Sequence, residues 1–185
     1  VVIEIVDKEV RIYENKIGVL TNSPGFEWHL TNLNNYVNLF AGPISERKVG
    51  ILSLKAFGRG GGMLGIPGDM TPPSRFVRAA FFQATAPKMD TAEKTVTQAF
   101  HILNNFDIPT GIQFAEGQEV PDIPSATQWT VATDIVGRRI YYRTMHNSTI
   151  RCFDLKAINF GKVKYQSEPL DKVKEQPIEM VQVAP

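Results

Sequence analysis

The chain has 185 residues, of which 43% are hydrophobic and 21% are charged, enough for one hydrophobic core or at most two small ones. Its 20 basic and 19 acidic residues nearly balance and form no basic block, which argues against nucleic acid or an anionic membrane surface as the main partner. No apolar run approaches the roughly 20 residues that a membrane span requires.

The first twenty residues predict three short strands. Residues 1–6, 10–13 and 16–20 are β-branched or alternating runs, and polar pairs between them indicate turns. A meander is the simplest arrangement. Because the chain opens within a strand and does not begin with Met, we expect it to be a piece of something longer or a product of processing.

A helical pattern begins at residue 26, and a Gly-rich loop follows at residues 58–69. The helical pattern has apolar residues at steps of three and four, which places them on one face. These residues are Phe26, Leu30, Leu33, Val37 and Phe40.

Two further helices are predicted in the middle of the chain. The first runs from Pro72 to about residue 86, with Thr71 as its N-cap. The second starts at Asp90, with Glu93 completing a capping box. Its buried stripe is formed by Val96, Ala99, Phe100 and Leu103.

The last third of the chain predicts strands again. Residues 127–135, 138–145 and 149–155 are three strand-like runs joined by short turns, which indicates two hairpins in an antiparallel sheet. Strands, then helices, then strands predict an α+β fold with antiparallel sheets.

Several patterns offer only weak evidence for chemistry. Gly60, Gly62 and Gly65 match G-x-G-x-x-G, but no helix opens inside the motif, so a loop with a close backbone approach is the better interpretation. His29, His101 and His146 lack metal-ligand spacing, and we expect no metal and no other cofactor. Cys152 alternates with charged neighbours in a strand, and we expect it to be a small buried hydrophobe.

Three polar residues are candidates for functional or structural roles. Asn22 lies in a loop between a strand and a helix, where its amide could donate to an oxyanion, although plain turn chemistry also explains it. Arg75 lies in the first turn of a helix, where the dipole disfavours a cation. It therefore either compensates an anionic partner or a transition-state charge, or forms a surface salt bridge with Asp69. Arg78 is expected to extend to solvent from the buried stripe.

Two segments are more specific than any of these patterns. Residues 21–36 read TNSPGFEWHLTNLNNY and resemble the motif that follows a core strand in choloylglycine hydrolases and penicillin V acylases. Residues 65–81 read GIPGDMTPPSRFVRAAF and resemble the second signature of that family. Their order and separation also fit, and the resemblance covers essentially the whole chain while matching only the C-terminal portion of a family member.

The resemblance implies part of an αββα four-layer N-terminal-nucleophile hydrolase fold with two antiparallel sheets. It implies hydrolysis of linear amide bonds in conjugated bile salts or in penicillin V, with an N-terminal Cys as nucleophile and its own α-amino group as base. Asn22 matches the oxyanion-stabilising Asn of the family, and Arg75 matches its catalytic Arg. A homotetramer is implied as well. Residues 23–29 look slightly more acylase-like, but the sequence does not decide between the two substrates.

The chain departs from the family pattern at the nucleophile. Val1 is not a nucleophile, and Cys152 does not match the family position. We therefore expect residues 1–185 to be the C-terminal portion of a single hydrolase domain, whose N-terminal half supplies the nucleophile and whose partner is a small-molecule amide. The alternative is a non-catalytic binding domain derived from the same fold. The compartment stays open between a bacterial cytoplasm and a periplasm.

Overall fold

The structure is a computed structural model that describes residues 1–183. The chain forms two compact units, Val1–Pro87 and Lys88–Pro185. The described residues contain three α-helices, short 3₁₀ turns and seven strands arranged as three antiparallel sheets. The predicted α+β class with antiparallel sheets is confirmed.

The first unit opens with a hairpin. Strand β1 (Val2–Val6) pairs antiparallel with β2 (Glu9–Tyr13) across a two-residue turn. Asp7 and Lys8 both have positive φ, 53° and 68°, which is the geometry of a tight type I′ hairpin turn. The third predicted strand, over residues 16–20, is wrong. Those residues form a turn and an extended segment, and Val19 is nevertheless buried in the core.

The core of this unit is a small aromatic and aliphatic cluster. Phe26 and Phe76 contact edge to face with ring centroids 6.2 Å apart, and Val2 and Val19 pack with them. Burying such side chains contributes about 1.5–3 kcal/mol each. The cluster joins β1 to two helices, which fixes the segments that flank the candidate site.

Helix α1 (Phe26–Asn32) is shorter than predicted and continues only as a 3₁₀ turn over Leu33–Tyr36. Its buried residues are Phe26 and His29, whereas Val37, predicted to lie on the apolar face, is 87% exposed. The predicted stripe is wrong at Val37 and Phe40, because a 3₁₀ turn advances residues by a different angle, whereas Leu33 is partly buried and packs against the core.

A hairpin that the sequence did not predict follows α1. Strands β3 (Arg47–Val49) and β4 (Leu52–Leu54) have three residues each, and every one of these residues is exposed. Helix α2 (Pro72–Thr85) then begins as predicted, with Thr71 at the N-cap and Pro72 at the first helical position.

The second unit contains one helix and one sheet. Helix α3 (Ala92–Leu103) is capped by Thr91, whose hydroxyl accepts from the Lys94 N–H at 3.2 Å. The predicted capping box at Asp90 is therefore one residue too early. Strands β5 (Trp129–Asp134), β6 (Arg139–Thr144) and β7 (Asn147–Asp154) form the two predicted hairpins in one antiparallel sheet.

Candidate active site

The two residues predicted to share a site are in contact in the first unit. Arg75 Nη2 donates to Asn22 Oδ1 at 2.6 Å, although 53 positions separate them in the sequence. Arg75 Nε also donates to the Met70 carbonyl at 3.0 Å, so two of the three guanidinium nitrogens are held. The guanidinium is thus fixed between the loop that carries Asn22 and the turn that precedes α2.

The hydrogen bond from Arg75 determines how the Asn22 amide is oriented. An amide oxygen only accepts, so Oδ1 faces the guanidinium and the Nδ2 hydrogens point elsewhere. Asn22 is exposed, and no described residue accepts from its Nδ2. The side chain therefore presents an oriented donor to the surroundings, which is what an oxyanion site requires.

The turn before α2 is organised by Asp69. Its carboxylate accepts from the Thr71 N–H at 2.9 Å, from the Thr71 hydroxyl at 2.5 Å and from the Ser74 hydroxyl at 2.6 Å. These hydrogen bonds from Ser74 and Thr71 hold the pKa of Asp69 at about 2. Asp69 thus serves the turn, while Arg75 is held by Asn22 and Met70, so an ion pair with Asp69 is not what fixes Arg75.

Arg78 does not reach solvent as predicted. It is 5% exposed, and its Nη1 donates to the carbonyls of Pro67 at 2.8 Å and Asp69 at 2.7 Å. Burial lowers its pKa, an effect that the nearby Asp69 opposes. The prediction is wrong because the loop before α2 folds back over the helix and supplies carbonyl acceptors for the guanidinium.

The Gly-rich loop has the close backbone approach that the sequence indicated. Gly62 N–H donates to the Gly42 carbonyl at 2.8 Å, and the Phe40 N–H donates to the Gly62 carbonyl at 3.0 Å. A Cβ at Gly62 would collide with the Phe40 carbonyl oxygen. The glycine is therefore explained by backbone packing, without any phosphate ligand.

Sequence reasoning missed the residues that connect Asn22 to helix α2. Thr21 Oγ1 lies 3.1 Å from both His29 Nε2 and the Pro72 carbonyl, and His29 is fully buried. In the sequence, only the position of Thr21 directly before Asn22 indicated that Thr21 lies near the site. Its hydrogen-bond partners are 8 and 51 positions away, and no local pattern reveals them.

The remaining sequence candidates lie in the second unit and show no site chemistry there. Cys152 is exposed, so the prediction of a buried thiol is wrong. It lies on β7, which pairs on one side only, with β6, and its neighbours Ile150 and Phe153 are also exposed. Within residues 1–183, no group of three or more His, Cys, Asp or Glu side chains is placed to hold a metal ion. In the same residues, no helix is long and apolar enough to cross a membrane.

Comparison with known proteins places these features in a family. Residues 1–172 match the family described as linear amide C–N hydrolases, choloylglycine hydrolase family. A bile salt hydrolase/transferase of Clostridium perfringens is 38% identical over 159 residues, which are 86% of this chain and 47% of the relative. A penicillin V acylase of Pectobacterium atrosepticum is 27% identical over 175 residues, which are 86% of this chain and 39% of the relative.

A solved structure extends the match to the fold. A variant of conjugated bile acid hydrolase from Clostridium perfringens superimposes with a TM-score of 0.80 at 34% identity, covering 97% of this chain and 53% of that protein. The chain therefore has part of the N-terminal-nucleophile hydrolase fold, as the resemblance implied. It belongs to the choloylglycine hydrolase family of linear amide C–N hydrolases. It spans about half the length of the curated relatives it matches.

Proposed function

We propose that the full-length protein hydrolyses the linear amide bond of conjugated bile acids of the choloylglycine type, and that this chain supplies its oxyanion donor and catalytic arginine. The observation that carries the proposal is the 2.6 Å hydrogen bond from Arg75 Nη2 to Asn22 Oδ1. It joins the two residues that the family resemblance independently assigns to catalysis.

The proposed reaction is acyl transfer through a cysteine located outside these 185 residues. The α-amino group of that cysteine takes the thiol proton, the resulting thiolate attacks the amide carbonyl, and the carbonyl oxygen gains negative charge in the tetrahedral intermediate. The Asn22 Nδ2–H donates to that oxygen. The C–N bond then breaks, the amine leaves with a proton from the nucleophile's α-amino group, and water hydrolyses the thioester to the carboxylic acid and the free thiol.

Arg75 has two roles in this scheme. It fixes the Asn22 amide, which removes the need to orient the donor during the reaction. Its Nη1 donates to no described residue, so these N–H groups remain available to a substrate bound beside Asn22. A fixed cation beside a developing oxyanion stabilises the transition state more than the neutral substrate.

Bile salts are proposed ahead of penicillin V because the bile salt hydrolase relative is more similar to this chain, 38% against 27% identical. The family resemblance also supports a homotetramer of the full-length protein, which light scattering after size-exclusion chromatography would measure.

The decisive experiment offers the full-length protein choloylglycine and phenoxymethylpenicillin in parallel. We expect release of glycine from the first at the higher kcat/KM, together with a thioester adduct on the nucleophilic cysteine in rapid-quench mass spectrometry. Binding of choloylglycine without release of glycine would support the alternative of a non-catalytic binding domain. Faster cleavage of phenoxymethylpenicillin would assign the protein to the acylases.

A further inference from the structure

The hydroxyl of Thr21 connects the two segments that carry Asn22 and Arg75, the proposed catalytic pair. Thr21 directly precedes Asn22 in the sequence, and its Oγ1 donates to the carbonyl of Pro72 at 3.1 Å. Pro72 is the first residue of α2 and lies three positions before Arg75. The same Oγ1 lies 3.1 Å from Nε2 of His29. One hydroxyl group is therefore shared between the Asn22 loop, the start of α2 and a histidine on α1.

Counting protons assigns the donor in the contact between Thr21 and that histidine. A hydroxyl has one hydrogen, and the Pro72 carbonyl can only accept, so the Thr21 proton is used there. The contact with His29 then requires Nε2 to carry a hydrogen and donate to Thr21 Oγ1. His29 Nδ1 is also buried and makes no hydrogen bond to a described residue. With the Thr21 proton used at Pro72, the hydrogen of the contact between His29 and Thr21 lies on Nε2.

The surroundings of His29 hold its ring in place. The ring is fully buried and stacks on Phe76, with centroids 4.5 Å apart and planes 6° from parallel. Burial lowers the pKa of His29, against the opposing effects of the Glu4 carboxylate and of the backbone at Ser23 and Pro24. A ring fixed between a core aromatic and a hydroxyl can set the rotation of that hydroxyl.

We propose that His29 is a positioning residue for the catalytic pair. By donating from Nε2 it holds the Thr21 hydroxyl toward Pro72, and this link keeps Asn22 at hydrogen-bonding distance from Arg75. The inference rests on the proposed function, because the consequence for rate requires Asn22 and Arg75 to act on the transition state. Small misplacements of such groups lower catalytic rates strongly, whereas substrate binding changes less.

Variants of His29 in the full-length protein test this role. His29→Gln can place an amide N–H near the position of Nε2, and His29→Leu retains bulk without any donor. We expect His29→Leu to lower kcat at least about tenfold with KM within about twofold, and His29→Gln to restore kcat to within about threefold of the parent. His101→Leu, at an exposed histidine of α3, serves as the control and should change neither constant. Equal kcat for the Leu and Gln variants would overturn the proposal.

A second comparison separates positioning from general stability. In the Asn22→Ala background, His29→Leu should lower kcat no further, because the donor it positions is already gone. A full additional loss in that background would overturn the proposal. Should His29→Leu fail to fold, His29→Asn replaces it, since its shorter amide reaches only the position of Nδ1. The kcat of His29→Asn should be at least about tenfold below that of the parent, as expected for His29→Leu. A kcat of His29→Asn equal to that of His29→Gln would refute the link between His29 and Thr21.

Nitrogen NMR of the histidines of the full-length protein tests the geometry without any substrate. Near neutral pH we expect the long-range ¹H–¹⁵N pattern of a neutral ring with its hydrogen on Nε2 for His29. A ring whose only hydrogen lies on Nδ1 would overturn the inference, whatever the activity, because its Nε2 could not donate to Thr21. A parent protein without amidase activity would overturn the proposed function instead, and this spectrum would still decide the link between His29 and Thr21.

Discussion

Asn22 and Arg75 are brought together by a single hydrogen bond between side chains that are far apart in the sequence. Each residue alone has an ordinary explanation, since Asn favours turns and Arg often lies on a helix surface. The contact changes that assessment because it orients the amide and occupies the guanidinium at once. The catalytic role of each residue can be tested by substituting one side chain at a time.

Asn22→Ala in the full-length protein should lower kcat by about 10²–10³, with a smaller effect on KM, as the loss of one oxyanion donor does. The reason is that Asn22 Nδ2 is oriented by Arg75 before the charge develops. Steady-state kinetics on choloylglycine would measure both constants. Asn35→Ala, which removes another exposed asparagine of the same unit, is the matched control. A change confined to KM would mean that Asn22 only positions the substrate.

Arg75→Lys should not rescue Arg75→Ala. The guanidinium donates in two directions from different nitrogens, to Asn22 and to the Met70 carbonyl, and a lysine ammonium cannot reproduce that geometry. We expect a loss of at least about tenfold in kcat/KM, or about 1.4 kcal/mol. Arg59→Lys, at an exposed position of the Gly-rich loop, serves as the control and should stay within about threefold.

Arg78 is not a suitable control for Arg75, although it lies one turn further along the same helix. Its guanidinium is buried against the carbonyls of the preceding loop, so a substitution there would leave those acceptors unsatisfied. If Arg75→Lys and Arg59→Lys lose equally little activity, Arg75 has a structural role, and the assignment based on family resemblance fails at that position.

At the scale of the element, the start of α2 depends on a carboxylate outside the helix. Thr71 is the N-cap residue, but its side chain makes no capping hydrogen bond, and its hydroxyl donates to Asp69 instead. Asp69 also accepts from Ser74 in the first turn, so one carboxylate closes the turn and attaches it to the helix. Arg75 follows directly, and its placement therefore depends on this turn.

The pKa of Asp69, lowered from 3.8 to about 2, predicts how that turn responds to acid. A carboxyl group whose pKa is lower in the folded state stabilises the fold fully above its unfolded value, and this contribution disappears as the pH falls through the folded value. The melting temperature of the parent should exceed that of Asp69→Asn at pH 5 and above. The difference should shrink between about pH 4 and pH 2.

Because Asp69 is exposed, the difference should be small, and only its pH dependence identifies the cause. Asp90→Asn is the comparison variant, since the Asp90 carboxylate pairs with Lys94 on the surface. A difference between parent and Asp69→Asn that stays constant from pH 5 to pH 2 would show that the carboxylate charge does not hold the turn.

Elements with strong local signals could be predicted from the sequence, and those fixed by distant contacts could not. Helix α2 has a Pro at its first position and a dense apolar face, and the three C-terminal strands are strand-like runs separated by short turns. The β3–β4 hairpin was missed because its strands have only three residues each, all of them exposed, which leaves no periodic pattern. In residues 16–20, Ile17 and Val19 contribute to the core from a turn and an extended segment that form no ladder.

The candidate site shows the same division. Asn22 and Arg75 were candidates because the motifs around them resemble those of a family, and the structure shows that they are in contact. The link through Thr21 and His29 depends on a buried ring stacked on Phe76, and that contact exists only after α1 and α2 pack together. Cys152 was placed incorrectly because alternation along a strand does not show whether another layer covers either of its faces.

At the scale of the molecule, the β1–β2 hairpin has an apolar face that no described residue covers. Ile3 pairs with Ile12 and Ile5 pairs with Val10 across the hairpin, and all four side chains are 64–78% exposed. The opposite face of the hairpin packs against the rest of the unit. Val2 is buried in the core, and Glu4 accepts from the Phe26 N–H at 2.8 Å. A sheet face of four aliphatic side chains is unusual on a surface that meets water.

We expect a segment outside these 185 residues to cover this face in the full-length protein, and a paired substitution tests it. Ile3→Thr with Ile12→Thr should leave the melting temperature of the 185-residue chain nearly unchanged, because exposed substitutions alter stability by about 0.5 kcal/mol or less. It should also reduce aggregation of that chain and its binding of a hydrophobic dye, since the exposed apolar area shrinks.

In the full-length protein the same pair should lower the free energy of unfolding by several kcal/mol, because it places two hydroxyl groups in a covered apolar layer. Denaturant unfolding of both proteins, with and without the pair, would measure the two effects side by side. Val136→Thr, at an exposed turn position of the second unit, is the control and should be silent in both. An equally small effect of the pair in both proteins would show that this face stays exposed in the full-length protein.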